Sequence, residues 1–248
     1  MGIGKTLASI VLAGAMTLGL SGKTNAGLIG EWNFNEGSGS VAYDSGGQGR
    51  DGTINGATYV GGKDGTGLYF NGNSYVEIPN TSDLHFHSGF TLSAWVKFDT
   101  YNADNMIVGK HISGIVSGYF LNIFDNKLTF YVSNAPLPGN KDRLKTPNNY
   151  NDNEWHHIVG VYDGVSQYLY VDEKLISQQE QTYSSINSAN IRIGGVFQGE
   201  HNAGVIGSID EVKIYDTAIP EPPNTVPEPS ILGLLALGGL GVLAKKKR

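Results

Sequence analysis

Between residues 27 and 217 the chain is cut, roughly every 8 to 15 residues, by clusters of turn-forming residues: Gly37-Ser38-Gly39, Ser45-Gly46-Gly47, Gly61-Gly62-Lys63-Asp64-Gly65, Asn71-Gly72-Asn73 and Asp163-Gly164. The segments between these clusters are short and alternate apolar with polar residues. In Phe90 to Phe98, the side chains of Phe90, Leu92, Ala94, Val96 and Phe98 share one face and Thr91, Ser93, Trp95 and Lys97 the other. Trp155, His157, Val159 and Val161 share a face, as do Leu128, Phe130 and Val132, and Tyr168, Tyr170 and Asp172 oppose Leu169 and Val171. A period of two makes strands, and strands this short and this regularly spaced must pair into antiparallel sheets. The region contains no amphipathic helical stretch of useful length. The pattern predicts an all-β fold, a sandwich or barrel. Asn134 to Asn153 breaks the rule: it is rich in Asn, Pro and Lys, does not alternate, and reads as a long loop of the kind that carries function on a rigid scaffold.

Both ends read as addresses. Lys5, the apolar stretch Leu7 to Leu20 and the small residues of Thr24-Asn25-Ala26 form a signal-peptide pattern over residues 1–26, with signal peptidase cutting after Ala26. At the other end, a Pro-rich linker over 219–230 carries Val226-Pro227-Glu228-Pro229-Ser230, followed by the apolar run Ile231 to Ala244 and the basic tail Lys245-Lys246-Lys247-Arg248. As a helix, the apolar run would reach about 21 Å, short of a ~30 Å hydrocarbon core. The basic residues would hold the tail at the cytoplasmic side. Taken alone, the segment reads as a short membrane anchor. With Pro227-Glu228-Pro229 before it, it resembles the PEP-CTERM sorting signal of bacterial exported proteins. That resemblance implies recognition by an exosortase-type sorting protease and delivery to the cell envelope, cell surface or extracellular matrix of a Gram-negative-type bacterium. The membrane would be a partner only through this segment.

Without the two ends, residues 27–230 hold 11 basic and 23 acidic residues, a net charge of −12. Such a body repels nucleic acid and anionic membrane surfaces, and tolerates divalent cations and neutral polymers. There are no cysteines, so no disulfide staples the fold despite an exported destination.

Four segments in order resemble the LamG-like, concanavalin A-like jelly-roll domains: Gly30-Glu31-Trp32-Asn33-Phe34-Asn35-Glu36-Gly37 with Asp44-Ser45-Gly46; Phe90-Thr91-Leu92-Ser93-Ala94-Trp95-Val96; Asn153-Glu154-Trp155-His156-His157-Ile158-Val159-Gly160-Val161-Tyr162-Asp163-Gly164; and Gly207-Ser208-Ile209-Asp210-Glu211-Val212-Lys213-Ile214-Tyr215. The resemblance covers about residues 28–218 and implies a two-sheet antiparallel β-sandwich, a jelly roll over residues 27–218. One departure is Glu173, where the family has a turn glycine after Tyr170-Val171-Asp172.

Candidate sites follow from the residues and from that resemblance. By alternation Asp210 shares a face with Val212 and Ile214; if that face is the core, its carboxylate needs a metal or hydrogen-bond donors. The resemblance implies a structural Ca²⁺ between the opening turn and the last strand, with Asp210 and Asp44 as its carboxylates. The other reading is that Asp210 caps a turn or accepts backbone N–H bonds. Tyr101, Tyr150, Tyr183 and Phe197 lie in or beside polar, Asn- and Gln-rich segments and are the expected platforms for sugar rings. His156 and His157 are adjacent on a strand and point to opposite faces, so they cannot share a metal. Gly47-Gln48-Gly49-Arg50-Asp51-Gly52 fits GxGxxG but lacks the following helix a dinucleotide needs. Related jelly-roll glycosidases use an E-x-D-x-x-E strand, and no E-x-D occurs here. The reading that follows is an exported, non-catalytic module that binds carbohydrate or another extracellular polymer. The alternatives are a structural matrix protein acting by protein contacts and, less favoured, a glycoside hydrolase with atypical carboxylates.

Overall fold

The computed structural model describes residues 27–100, 105–111, 118–133, 143–183, 187–195 and 204–219. The signal-peptide, sorting and tail segments and the linker beyond Ile219, and with them Val226, Pro227, Glu228, Pro229 and Ser230, lie outside the described residues, as do Tyr101 and Phe197. Among the described residues the chain forms strands β1 (Leu28–Trp32), β2 (Val41–Ala42), β3 (Gly52–Asn55), β4 (Thr58–Gly61), β5 (Thr66–Asn71) and β6 (Tyr75–Ile78). After a single 3-10 turn at Ser82–Leu84 come β7 (Phe90–Thr100), β8 (Asn105–His111), β9 (Gly118–Phe124), β10 (Lys127–Ser133) and β11 (Arg143–Lys145). The last are β12 (His156–Tyr162), β13 (Ser166–Val171), β14 (Lys174–Glu180), β15 (Ile191–Ile193) and β16 (Ile206–Tyr215).

These strands build two antiparallel sheets. The first runs β14-β13-β12-β7-β16-β5-β4, and β1 pairs the second half of β16 where β5 stops. The second runs β11-β10-β9-β8-β15-β6-β3-β2. The core lies between them. Phe90, Leu92, Ala94, Val96 and Phe98 of β7, with Ile209, Val212 and Ile214 of β16, are fully buried in one cluster with Leu121 and Ile123 of β9 and Leu128, Phe130 and Val132 of β10. The period of two places this set on one side of each sheet, and the buried apolar area is the main stabilising term. Gly160 of β12 faces Phe130 of the other sheet so closely that an added Cβ would stand 2.3 Å from its ring.

Three local expectations change. The stretch 134–153 is not all loop: Arg143–Lys145 pairs Tyr131 to Thr129 as an edge strand. The turn at Glu173 is tight without glycine. Val171 pairs Lys174, and Asp172 and Glu173 take φ of +49° and +66°, the two left-handed positions of a two-residue hairpin turn. Most consequential is a bulge in β16. Asp210 pairs Trp95 and Lys213 pairs Ser93, so Glu211 and Val212 stand against the single residue Ala94, with Glu211 at φ +48°. The extra residue reverses the alternation. Val212 and Ile214 therefore face the core, while Asp210 sits on the outer face beside Trp95.

Candidate functional site

Asp210 and Asp44 are both buried, and their oxygens are occupied by backbone donors. The Asp44 Oδ1 accepts the N–H groups of Glu31 (3.1 Å) and Gly46 (3.0 Å), and Oδ2 accepts those of Gln48 (3.0 Å) and Arg50 (3.1 Å). Four donors fill the four acceptor positions of an ionised carboxylate. The Asp210 Oδ2 accepts Lys63 N–H (2.7 Å) and Asp64 N–H (3.1 Å), and Oδ1 accepts Glu211 N–H (2.8 Å). Burial pushes its pKa up to about 6, against the pull of those three donors. Asp44 thus folds the 45–50 turn onto β1, and Asp210 holds the 62–65 turn over the outer face of β16. As a calcium centre this pair does not fit: seven N–H groups take up all but one of the acceptor positions a cation would need. Among the described residues, no group of three or more His, Cys, Asp or Glu side chains stands where it could hold a metal ion.

Of the expected ring platforms, Tyr183 is a correction. It is 6% exposed and belongs to the core cluster. Its ring meets Phe90, Tyr162 and Tyr119 edge-on, with centroids 5.7 to 6.4 Å apart, and its N–H donates to Tyr162 Oη. The polar residues around it in sequence hid an inward-facing position. Tyr150 is half-buried at the rim, its ring edge-on to His156 at 4.9 Å. Its pKa is raised by burial and then by the charge of Asp172. His156 stands between two carboxylates, with Nδ1 2.8 Å from Asp172 Oδ2 and Nε2 3.1 Å from Asp152 Oδ1. Burial lowers its pKa, but the bonds to Asp172 and Asp152 outweigh burial and raise it.

From this rim a strip of aromatic and polar side chains continues over the outer face of the second sheet. Lys127 Nζ donates to Pro147 O (2.7 Å) and Asn149 Oδ1 (2.8 Å), joining the Tyr150 segment to β10. Cross-strand pairing then sets Phe124 beside Lys127, Asn122 beside Thr129 beside Lys145, and Phe120 beside Tyr131 beside Arg143. The Phe120 and Tyr131 rings stack with centroids 4.8 Å apart. The Arg143 guanidinium lies 4.1 Å from the half-buried Phe124 ring and 5.2 Å from Tyr131, and donates to Asn122 Oδ1 at 3.2 Å. Lys145 Nζ is 4.5 Å from the same Phe124 ring and 3.6 Å from Asp125. Phe120, Tyr131, Asn122 and Thr129 are buried, and what reaches the surface is the rings of Tyr150 and Phe124 with the three cations Lys127, Arg143 and Lys145, on an otherwise acidic protein. The sequence reading missed Phe120, Phe124, Tyr131, Arg143 and Lys145. Treating 134–153 as loop hid the edge strand that brings Arg143 and Lys145 onto the alternating face of β9 and β10.

The outer face of the first sheet carries a Ser–His pair. Ser93 Oγ and His157 Nε2 are 2.8 Å apart, and the His157 ring stacks on Trp95 at 5.0 Å. Among the described residues His157 Nδ1 has no hydrogen-bond partner. A nucleophilic serine needs an acid on that nitrogen to orient and charge-balance the imidazole, so this pair is not a hydrolytic triad. Burial, then the charge of Lys213, pulls the His157 pKa down to about 4, with Lys63 adding to the effect and Asp172 opposing it.

Residues 70–222 match the model of the laminin G-type concanavalin A-like lectin/glucanases superfamily, and residues 225–248 match that of the PEP-CTERM protein-sorting motif. A laminin subunit alpha of Drosophila melanogaster is 30% identical over 156 residues, 60% of this chain; the match spans 4% of that protein's length. Among solved structures, the binding domain of Paraclostridial Mosquitocidal Protein 1 superposes with a TM-score of 0.64 at 16% identity, covering 78% of this chain and 49% of that one. Domain 4 of AbnA, a GH43 extracellular arabinanase from Geobacillus stearothermophilus solved with arabinotriose, gives 0.60 at 19% identity, covering 78% of this chain and 94% of that one. A Trypanosoma rangeli sialidase gives 0.59 at 18%, covering 78% of this chain and 31% of that one. At these identities the structural matches speak for the fold.

Proposed function

The chain belongs to the concanavalin A-like lectin/glucanases superfamily and carries a PEP-CTERM sorting motif, and from that premise we propose that it binds carbohydrate, or another extracellular polymer, without transforming it. The sorting motif marks an exported protein of the cell envelope that an exosortase-type protease processes. The binding surface is the strip from Tyr150 across Lys127 and Phe124 to Arg143 and Lys145. One observation carries the reading: the half-buried rings of Tyr150 and Phe124 stand with the Asn149 amide and the cations of Lys127, Arg143 and Lys145, the set that docks a sugar ring and orients its hydroxyls. The solved domains similar in fold include one in complex with arabinotriose, which agrees with this reading. The absence of E-x-D and the lack of an acid on His157 Nδ1 favour binding over hydrolysis.

Glycan-array binding by the tag-free domain tests it. Retention of a glycan that falls at least tenfold in Arg143→Ala and Tyr150→Ala, with unchanged melting curves, is the expected result. No retained glycan at millimolar protein refutes it, and released reducing sugar would establish hydrolysis instead. The second reading, a matrix protein acting by protein contacts, draws support from β14. This strand forms a free sheet edge on which Leu175 is 48% exposed. It predicts concentration-dependent self-association in sedimentation with no dependence on sugar.

A further inference from the structure

Among the described residues Lys110 is a buried cation with no acid paired to it. It lies on β8, paired with Tyr119 on one side and Ile191 on the other. Gly109 faces outward against Phe120, so its neighbour Lys110 points inward with Tyr119, and it is 1% exposed. A buried ammonium ordinarily requires a carboxylate partner. Among the described residues Lys110 makes no ion pair; its Nζ contacts the side-chain amide of Asn80, donating to Oδ1. Asn80 follows β6 by two residues and is fixed there, its N–H donating to Asn190 Oδ1 at 3.0 Å. The His85 Nε2 reaches the same amide oxygen at 3.2 Å. Because a carbonyl oxygen only accepts, both nitrogens donate to it. The titratable groups beside it are Asp83, which is paired with Arg50, and His85.

We propose that Lys110 and Asn80 join in an intramolecular isopeptide bond. The amine nitrogen of a buried lysine stands against a half-buried primary amide whose oxygen is polarised by a second donor. Addition of Nζ to Cγ places negative charge on Oδ1, where the His85 N–H is already directed. Collapse breaks the Cγ–Nδ2 bond. One proton of the neutral amine leaves with that nitrogen as ammonia, so amine plus primary amide gives secondary amide plus ammonia, with no oxidant or co-reactant. Burial pulls the Lys110 pKa down to about 8, only partly opposed by the charge of Asp83, which supplies neutral amine near physiological pH. Burial and the nearby Lys110 charge also lower the pKa of His85, against the pull of its bond to the Asn187 backbone and of Asp83.

The two residues are 30 apart in sequence, and the sheet order places β15 between β6 and β8. The bond would therefore clamp the chain after β6 to β8 past a neighbour only three residues long. An exported sandwich without cysteines would gain a covalent staple that no reductant opens.

Mass spectrometry of the purified, folded full chain tests this. The expected protein is lighter than its sequence by about 17 Da, the mass of ammonia. Digestion should give a branched peptide with two N-termini that joins the segments holding Asn80 and Lys110. Lys110→Arg, which keeps the charge, and Asn80→Ala should both show full mass. After refolding, the mass loss should accelerate from about pH 7 to 9 as the ammonium deprotonates. Separate, unlinked peptides in the wild-type digest overturn the proposal, whatever the variants do. So does a mass loss without a branched peptide, which would be succinimide formation at an asparagine.

Discussion

Asp44 and Asp210 show how one residue type supports two opposite readings. A buried carboxylate signals either a bound cation or a set of donors, and sequence gives only the carboxylate. With seven backbone N–H groups directed at the two side chains, the donors account for both. Chelator should leave the melting temperature of the domain unchanged, and a fall of several degrees in EDTA would reinstate calcium. Asp44→Ala should cost about 3 kcal/mol in urea unfolding, since it strands donors that water reaches poorly. His157 and Asp210 make a second prediction. The folded-state pKa of His157 is about 4 against an ordinary 6.5, so its contribution to stability is lost as pH falls from about 6.5 to 4. That of Asp210 is about 6 against 3.8, so the folded state binds its proton first and stability is gained from about pH 6 to 4. Each effect is at most about 3 kcal/mol, and the two oppose. Over pH 4 to 6 they should nearly cancel in the wild type. Against wild type, His157→Gln should gain stability on acidification and Asp210→Asn should lose it. Urea midpoints at four pH values read both slopes.

At the scale of the element, turns and bulges decide what the alternation means. The β7 and β10 faces follow the period of two throughout. In β16 a single extra residue moves Asp210 from the core face to the outer face. No residue type announces that bulge, because Glu211 is an ordinary residue held at φ +48°. The β13–β14 turn is the opposite case. Its tightness is imposed by the pairing of Val171 with Lys174, and Glu173 bears the left-handed conformation that glycine would take freely. Glu173→Gly should therefore stabilise the domain by about 1 kcal/mol, measured as a higher urea midpoint at constant slope. The Asn- and Pro-rich stretch 134–153 conceals an edge strand of only three residues, too short for alternation to register. That strand nevertheless carries both Arg143 and Lys145 to the proposed binding strip.

Over the whole molecule, sheet spacing is set by a few close approaches between the layers. Gly160 lets Phe130 of the opposing sheet reach the β12 backbone, and a methyl group there would stand 2.3 to 2.6 Å from ring carbons. Gly160→Ala should cost about 2 to 3 kcal/mol by overpacking, read by calorimetry or urea. A milder loss would mean that the sheets can move apart.

The all-β class, the strand faces of β7, β10 and β12 and the sorting motif were legible in the chain itself. Local periodicity and contiguous motifs need no partner to be read. The occupation of Asp210 and Asp44, the inward turn of Tyr183, the strip from Tyr150 to Arg143 and the contact of Lys110 with Asn80 came only from the tertiary structure. Each joins residues from strands or turns far apart in the chain, and a one-residue bulge or a three-residue edge strand is enough to redirect a side chain without leaving a periodic trace.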